Sequence, residues 1–241
     1  SNAGLIEISS TSNLDYESDS SYTLTIRAND GTANDDEDVT ITIDDINDQT
    51  PTYSATDTTP SVAEGATAVE TNIAITDTDT GDVNVCTKGG ADAALFTCTV
   101  TATTYTLAFT NAEDYENADD VGGNNVYDVT VTINDGVNGG STITYVVTVT
   151  DVAVAITASQ SDSIAENAAV DDDVMTVATT GDSATTFTIT AGNGDGIFKI
   201  SNAGLIEISS TSNLDYESDS SYTLTIRAND GTANDDEDVT I

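Results

Sequence analysis

The sequence contains no histidine and no tryptophan, and only 4 Lys and Arg among its 241 residues. Without histidine there is no imidazole for acid–base work and no Ser–His or Cys–His pair to activate a nucleophile. Phosphate contacts need Lys and Arg, so nucleic acid is not an expected partner. Docking on anionic lipid is disfavoured for the same reason. No apolar run is long enough to span a bilayer, so membrane insertion of this segment is not expected, and none reads as a signal peptide. The absence of any Asn-x-Ser/Thr sequon removes N-glycosylation from the expectations. Aromatic residues make up 5% of the chain, which is little for an exposed binding patch. Tyr53, Tyr115 and Tyr127 are the candidates for one.

Acid is what the chain has in excess. Asp and Glu number 43, for a formal net charge of −39 at pH 7. Such charge serves either as a solvated, self-repelling surface or as oxygen ligands for a hard divalent cation. Acidic chains are frequently disordered. Here 37% of residues are hydrophobic, and they alternate. Tyr22/Leu24/Ile26, Tyr105/Leu107/Phe109, Val129/Val131/Ile133 and Tyr145/Val147/Val149 each stand two apart with polar residues between. Period two predicts strands with one buried face. About seven such strands fall between Gln49 and Asp151, with turn signals such as Asn134-Asp135-Gly136 between them, which predicts an all-β sandwich.

Residues 1–41 are identical to residues 201–241, an offset of 200. A fixed period marks an array, and this one fits two domains of about 100 residues each. The expected division is residues 1–48 as the C-terminal half of a domain, 49–151 as a complete domain, and 152–241 as a nearly complete one. The chain opens at Ser1, inside the repeating pattern, and so reads as a window with its parent continuing on both sides.

The acids cluster where strands should end: Leu14-Asp15-Tyr16-Glu17, Asp45-Ile46-Asn47-Asp48-Gln49-Thr50-Pro51, Asp77-Thr78-Asp79, Asp135 before Gly136, and Glu64. In this order they resemble the cadherin signatures: the LDRE-type motif, the DxNDNxP linker, the DxD motif and the glutamate of the first strand. Thr188–Ile208, with Gly192, Gly196, Phe198 and Gly204, is similar to the stretch that precedes LDRE in that family. The resemblance covers essentially the whole chain. It implies Greek-key, seven-stranded, Ig-like β-sandwiches joined end to end, on the cell surface or outside the cell, with calcium between consecutive domains.

Carried over residue by residue, the resemblance implies about three calcium ions at the first junction. Their ligands would be Asp15 and Glu17, then Asp45, Asn47 and Asp48 with the carbonyls of Ile46 and Gln49, then Asp77, Asp79 and Asp135. The chemistry agrees, since calcium takes six to eight oxygens. Without an ion, a like-charged pair at ~4 Å costs about 1 kcal/mol in water and about 4 at an effective dielectric of 20. The second junction departs from the pattern. Glu64, Asp114, Glu116, Asp151 and Asp230 are present, but the linker reads Asp151-Val152-Ala153-Val154-Ala155 and Thr179-Thr180-Gly181-Asp182 stands where DxD is expected. At most one calcium is expected there. Glu166, Asp215 and Glu217 are the third domain's copy of the first-strand and LDRE-type acids.

Cys86 and Cys98 are the only cysteines. In an exported protein they are expected to form a disulfide, the alternative being two small buried thiols. Asp79-Thr80-Gly81 mimics an aspartic-protease triplet, yet that chemistry needs two. Asn193-Gly194-Asp195-Gly196 lacks the closing Glu and the flanking helices of an EF-hand and reads as a hairpin turn. The resulting expectation is a calcium-stiffened spacer of a long extracellular adhesin or filament, not an enzyme. Its partners would be neighbouring copies of the repeat, with lateral association into fibres. A directly adhesive module, binding like domains or carbohydrate, is the alternative.

Overall fold

The computed structural model describes residues 4–11, 14–81 and 83–241. Among them the chain is all β, with one 3₁₀ turn at Ala93–Leu95 and no α-helix. No helix among the described residues is long and apolar enough to cross a membrane.

Strands β1 (Ser21–Asn29) and β2 (Asn34–Thr42) pair as an antiparallel hairpin. Asp30 fixes its turn, accepting the N–H groups of Thr32 and Ala33, each at 2.8 Å. Gly31 follows at φ +97°, a left-handed conformation that side chains resist.

Among the described residues, eight strands come next: β3 (Thr52–Tyr53), β4 (Ser61–Ala63), β5 (Ala68–Thr76), β6 (Val85–Gly89), β7 (Phe96–Val100), β8 (Thr104–Phe109), β9 (Val126–Asn134) and β10 (Thr142–Thr150). They form two four-stranded sheets, ordered β4-β10-β9-β6 and β3-β5-β8-β7. The period-two residues of β8, β9 and β10 fill the space between the sheets, and Leu107, Val131, Ile133 and Val147 are fully buried. Phe96 stacks on Phe109 with centroids 4.5 Å apart, and Tyr127 meets Phe109 edge-on at 5.1 Å. The strand count exceeds seven because the first strand is split. β3 pairs with β5 in one sheet, and β4 runs parallel to β10 in the other. Between them Pro60 has no N–H to give a ladder, and Asp57 accepts the Thr59 N–H at 2.8 Å in a local turn.

The three tyrosines considered for a surface patch do not make one. Tyr127 is buried, while Tyr53 and Tyr115 are half-buried and pack against the same core. Cys86 on β6 and Cys98 on β7 form a disulfide with Cα atoms 6.2 Å apart. Because β6 and β7 are the edge strands of the two sheets, the bond sews the sandwich together along one side.

A second, separate core gathers Val154, Ile156, Phe187, Ile206, Leu224 and Ile226, among others. Its strands are β11 (Ala155–Ile156), β12 (Asp173–Thr176), β13 (Thr179–Thr180), β14 (Thr186–Ala191), β15 (Phe198–Ile200), β16 (Leu205–Ile208), β17 (Thr223–Asn229) and β18 (Asn234–Thr240). They pair as β12-β16-β15, β14-β17-β18 and β11-β13. The Asn193–Gly196 turn is not a hairpin, since β14 and β15 belong to different sheets. Asn193 closes this crossing by donating to Phe198 O at 2.6 Å and accepting its N–H at 3.1 Å.

Candidate metal centres

At the first seam the chain brings acids together from segments far apart in sequence. Carboxylate oxygens of Glu17, Asp48 and Asp79 lie within 4.8 Å of one another. The linker is tied to the following sandwich by hydrogen bonds. Gln49 N donates to Asp79 at 2.8 Å, and Thr80 N donates to Asp45 at 2.8 Å, joined there by the Thr80 hydroxyl. Asp77 accepts the Asp79 N–H at 3.3 Å. Asp135 accepts the N–H groups of Val137 at 2.8 Å and Asn138 at 2.6 Å. The Asn138 amide then reaches Asn47 Oδ1 at 2.6 Å and the carbonyl of Gln49 at 2.9 Å. Asp15 is occupied within its own turn, where Ser18 donates through both hydroxyl and N–H. The Ile46 side chain points outward, 66% exposed.

The electrostatics record the crowding. Hydrogen bonds from Thr80 hold the Asp45 carboxyl below the usual carboxylate range. The Glu17 carboxyl sits above it. Its own backbone N–H works the other way, but burial, hydrogen bonding with Asp15 and the charges of Asp79 and Asp45 outweigh that.

At the second seam Glu64, Glu116 and Asp151 bring carboxylate oxygens within 4.8 Å of one another. Glu64 accepts Tyr115 N at 3.0 Å and Val152 N at 2.7 Å. The Thr232 hydroxyl bridges Glu116 at 2.8 Å and Asp151 at 3.1 Å. Asp114 caps its own turn through the N–H groups of Glu116 and Asn117. Asp230 is buried and accepts Val154 N at 2.8 Å and Ala233 N at 2.6 Å. The Glu116 carboxyl is raised, first by burial and further by Glu64 and Asp182, against the Thr232 hydrogen bond. The apolar linker turns inward, with Val154 and Ile156 buried in the second core. The third copy repeats the arrangement in the open: Glu166, Asp215 and Glu217 meet within 4.8 Å, and Glu166 accepts Tyr216 N at 3.3 Å as Glu64 accepts Tyr115.

Six carboxylate oxygens among the described residues are buried and accept no hydrogen bond. Four belong to the first seam: Glu17 Oε1, Asp45 Oδ1, Asp77 Oδ2 and Asp79 Oδ1. Two belong to the second: Glu116 Oε2 and Asp151 Oδ1. A buried acceptor left unmade costs about 1–3 kcal/mol, and more when charged. Among the described residues every such carboxylate oxygen lies at one of these two seams, a donor set of hard oxygens suited to calcium. Asn138, Thr80 and Thr232 are participants that the sequence motifs do not mark.

Residues 160–241 match the cadherin domain family. Mouse protocadherin Fat 4 is 30% identical over an alignment of 246 positions that covers 93% of this chain and 5% of that protein. Among solved structures, human CDH23 EC21-23 is 18% identical, with a TM-score of 0.49, over 94% of this chain and 75% of that one. Mouse protocadherin-24 EC1-3 is 19% identical, with a TM-score of 0.47, over 95% and 81%. Residues 160–241 are thus similar to a cadherin repeat domain, and the chain spans only a small part of the curated relative's length.

Proposed function

We propose that this chain is a calcium-stiffened structural repeat of a long extracellular, cell-surface protein, acting as a spacer and not as a catalyst. Residues 1–48, 49–151 and 152–241 are its successive units. The reading rests on the four buried carboxylate oxygens of the first seam that accept no hydrogen bond. Asp15, Glu17, Asp45, Asn47, Asp48, Asp77, Asp79 and Asp135, with the carbonyls of Ile46 and Gln49, would hold calcium between the first two units. When bound, the ion supplies the positive charge that these crowded acids lack. The residues of the chain do the positioning: Thr80 and Asn138 hold the linker against the next sandwich. The second seam, with Glu64, Glu116, Asp151 and Asp230, leaves half as many oxygens without a donor, which favours at most one ion there. Thr232 fills part of the coordination space a cation would use.

A disulfide fits an oxidising compartment, in keeping with the extracellular setting of cadherin relatives. The spacer role is favoured over direct adhesion because Tyr127 is buried and Tyr53 and Tyr115 pack on the core. Neighbouring repeats are the partners this reading requires. The test is small-angle X-ray scattering of the chain in calcium and in chelator. Calcium should give a longer, narrower distance distribution. Superimposable curves would sink the proposal.

A further inference from the structure

The sequence holds two Asn-Gly pairs, Asn138-Gly139 and Asn193-Gly194. In such a pair the second residue has no Cβ to keep its backbone nitrogen away from the asparagine side chain. The fold treats the two pairs differently. Asn193 is pinned through both ends of its amide, donating to Phe198 O at 2.6 Å and accepting Phe198 N at 3.1 Å. Phe198 is itself buried in the second core. Turning the Asn193 amide towards Gly194 therefore breaks two bonds that tie the turn to that core.

Asn138 stands in the loop between β9 and β10 and is held through one end only. Its amide nitrogen donates to Asn47 Oδ1 at 2.6 Å, to the Gln49 carbonyl at 2.9 Å and to Asp135 Oδ2 at 3.2 Å. Its side-chain oxygen accepts no hydrogen bond among the described residues. Gly139 is exposed, and no atom beyond its chain neighbours lies within 4 Å of where a side chain would begin. Its N–H makes no hydrogen bond among the described residues. What holds the Asn138 amide is chiefly the linker at Asn47 and Gln49, which belongs to no strand. Such a segment opens locally at lower cost than a sandwich core.

We propose that Asn138-Gly139 is a self-modification site at the first seam, where the chain's own backbone and water convert the Asn138 amide to a carboxylate. The Gly139 nitrogen gives up its proton to solvent and attacks Asn138 Cγ. A cyclic imide closes, the Cγ–Nδ2 bond breaks, and the nitrogen leaves as ammonia. Water then opens the imide at either carbonyl, leaving an aspartyl or an isoaspartyl link. Amide and water become carboxylate and ammonium, with no oxidant and no enzyme. The product turns an acceptor towards Asn47 Oδ1, the Gln49 carbonyl and Asp135, where a donor stood before. It also adds a negative charge among like charges. The linker loses its tether to the β9–β10 loop, so a converted junction is looser than a fresh one. The site stands on these amide contacts alone, whether or not a cation occupies the seam.

The experiment is peptide mapping by mass spectrometry of the full-length chain aged at mildly alkaline pH. Conversion at Asn138 should run several-fold ahead of conversion at Asn193 in the folded chain. In urea, where both are plain Asn-Gly pairs, the two rates should converge. Gly139→Ala, which the open space around Gly139 admits, should suppress conversion at Asn138 and leave Asn193 as it was. Equal rates in the folded chain overturn the proposal. So does a lead for Asn138 that survives urea unchanged, because local sequence and not the fold would then select the site. Undiminished conversion in Gly139→Ala would mean direct hydrolysis and overturn it as well. The consequence is read by hydrogen exchange on Asn138→Asp in calcium-containing buffer. Residues 44–51 should exchange faster than in the wild type, with β9 and β10 unchanged; linker exchange equal to or slower than wild type would refute the loosening.

Discussion

Asp230 shows how one carboxylate holds a turn and a linker together. It accepts N–H groups from Val154, Thr232 and Ala233 at 2.8, 2.9 and 2.6 Å. Burial alone would raise its pKa, but these donors win and bring it down to about 2. Asp30, in the identical turn of the first hairpin, also sits near about 2, with the N–H groups of Ala33 and Thr32 as the main causes. The turn itself therefore supplies much of the effect. A folded-state pKa below the ordinary 3.8 means stability that is present above that value. It is lost as pH falls from about 4 towards about 2. Asp230→Asn should lower the melting temperature at pH 7 and flatten the acid limb of a melting-temperature against pH curve; an unchanged acid limb would contradict this. The residues most readable from sequence were the acids in ordered motifs. Asn138 was not readable, because its contact with Asn47 spans 91 positions. Nor was the Thr232 bridge, where a hydroxyl in a Thr-rich chain gains meaning only when Glu116 and Asp151 arrive beside it.

The strands were legible as elements, since alternating apolar residues on β8, β9 and β10 have one way to bury their faces. The split of the first strand was not. It depends on Pro60 and the Asp57 turn sending β3 and β4 to different sheets, a choice made by packing. The disulfide belongs to this scale because it joins edges. With Cys86 and Cys98 separated by 12 in sequence, the loop-entropy argument gives roughly 3 kcal/mol. Cys86→Ser with Cys98→Ser should lower the stability of the middle sandwich by about that amount in urea, leaving the second core's transition in place. Loss of both transitions together would show that the two cores unfold as one.

For the whole molecule the dominant fact is a net charge of −39, with part of that acid gathered unevenly at two seams. Asp79→Asn removes a member of the first cluster and Glu116→Gln a member of the second. Calorimetric titration with calcium should show the larger loss of bound ion for Asp79→Asn. Equal losses would remove the proposed difference between the seams. The parallel pairing of β4 with β10 has a further consequence once the chain is placed under load. Ser61, Val62 and Ala63 lie beside Thr148, Val149 and Thr150, and Ser161 is bridged in parallel to Thr240 in the next unit. Tension applied at the two ends of such a unit pulls these neighbouring strands in opposite directions along their length. Their backbone hydrogen bonds are then strained in shear, all at once, instead of being unzipped singly, and each bead becomes a clamp against the pull it transmits.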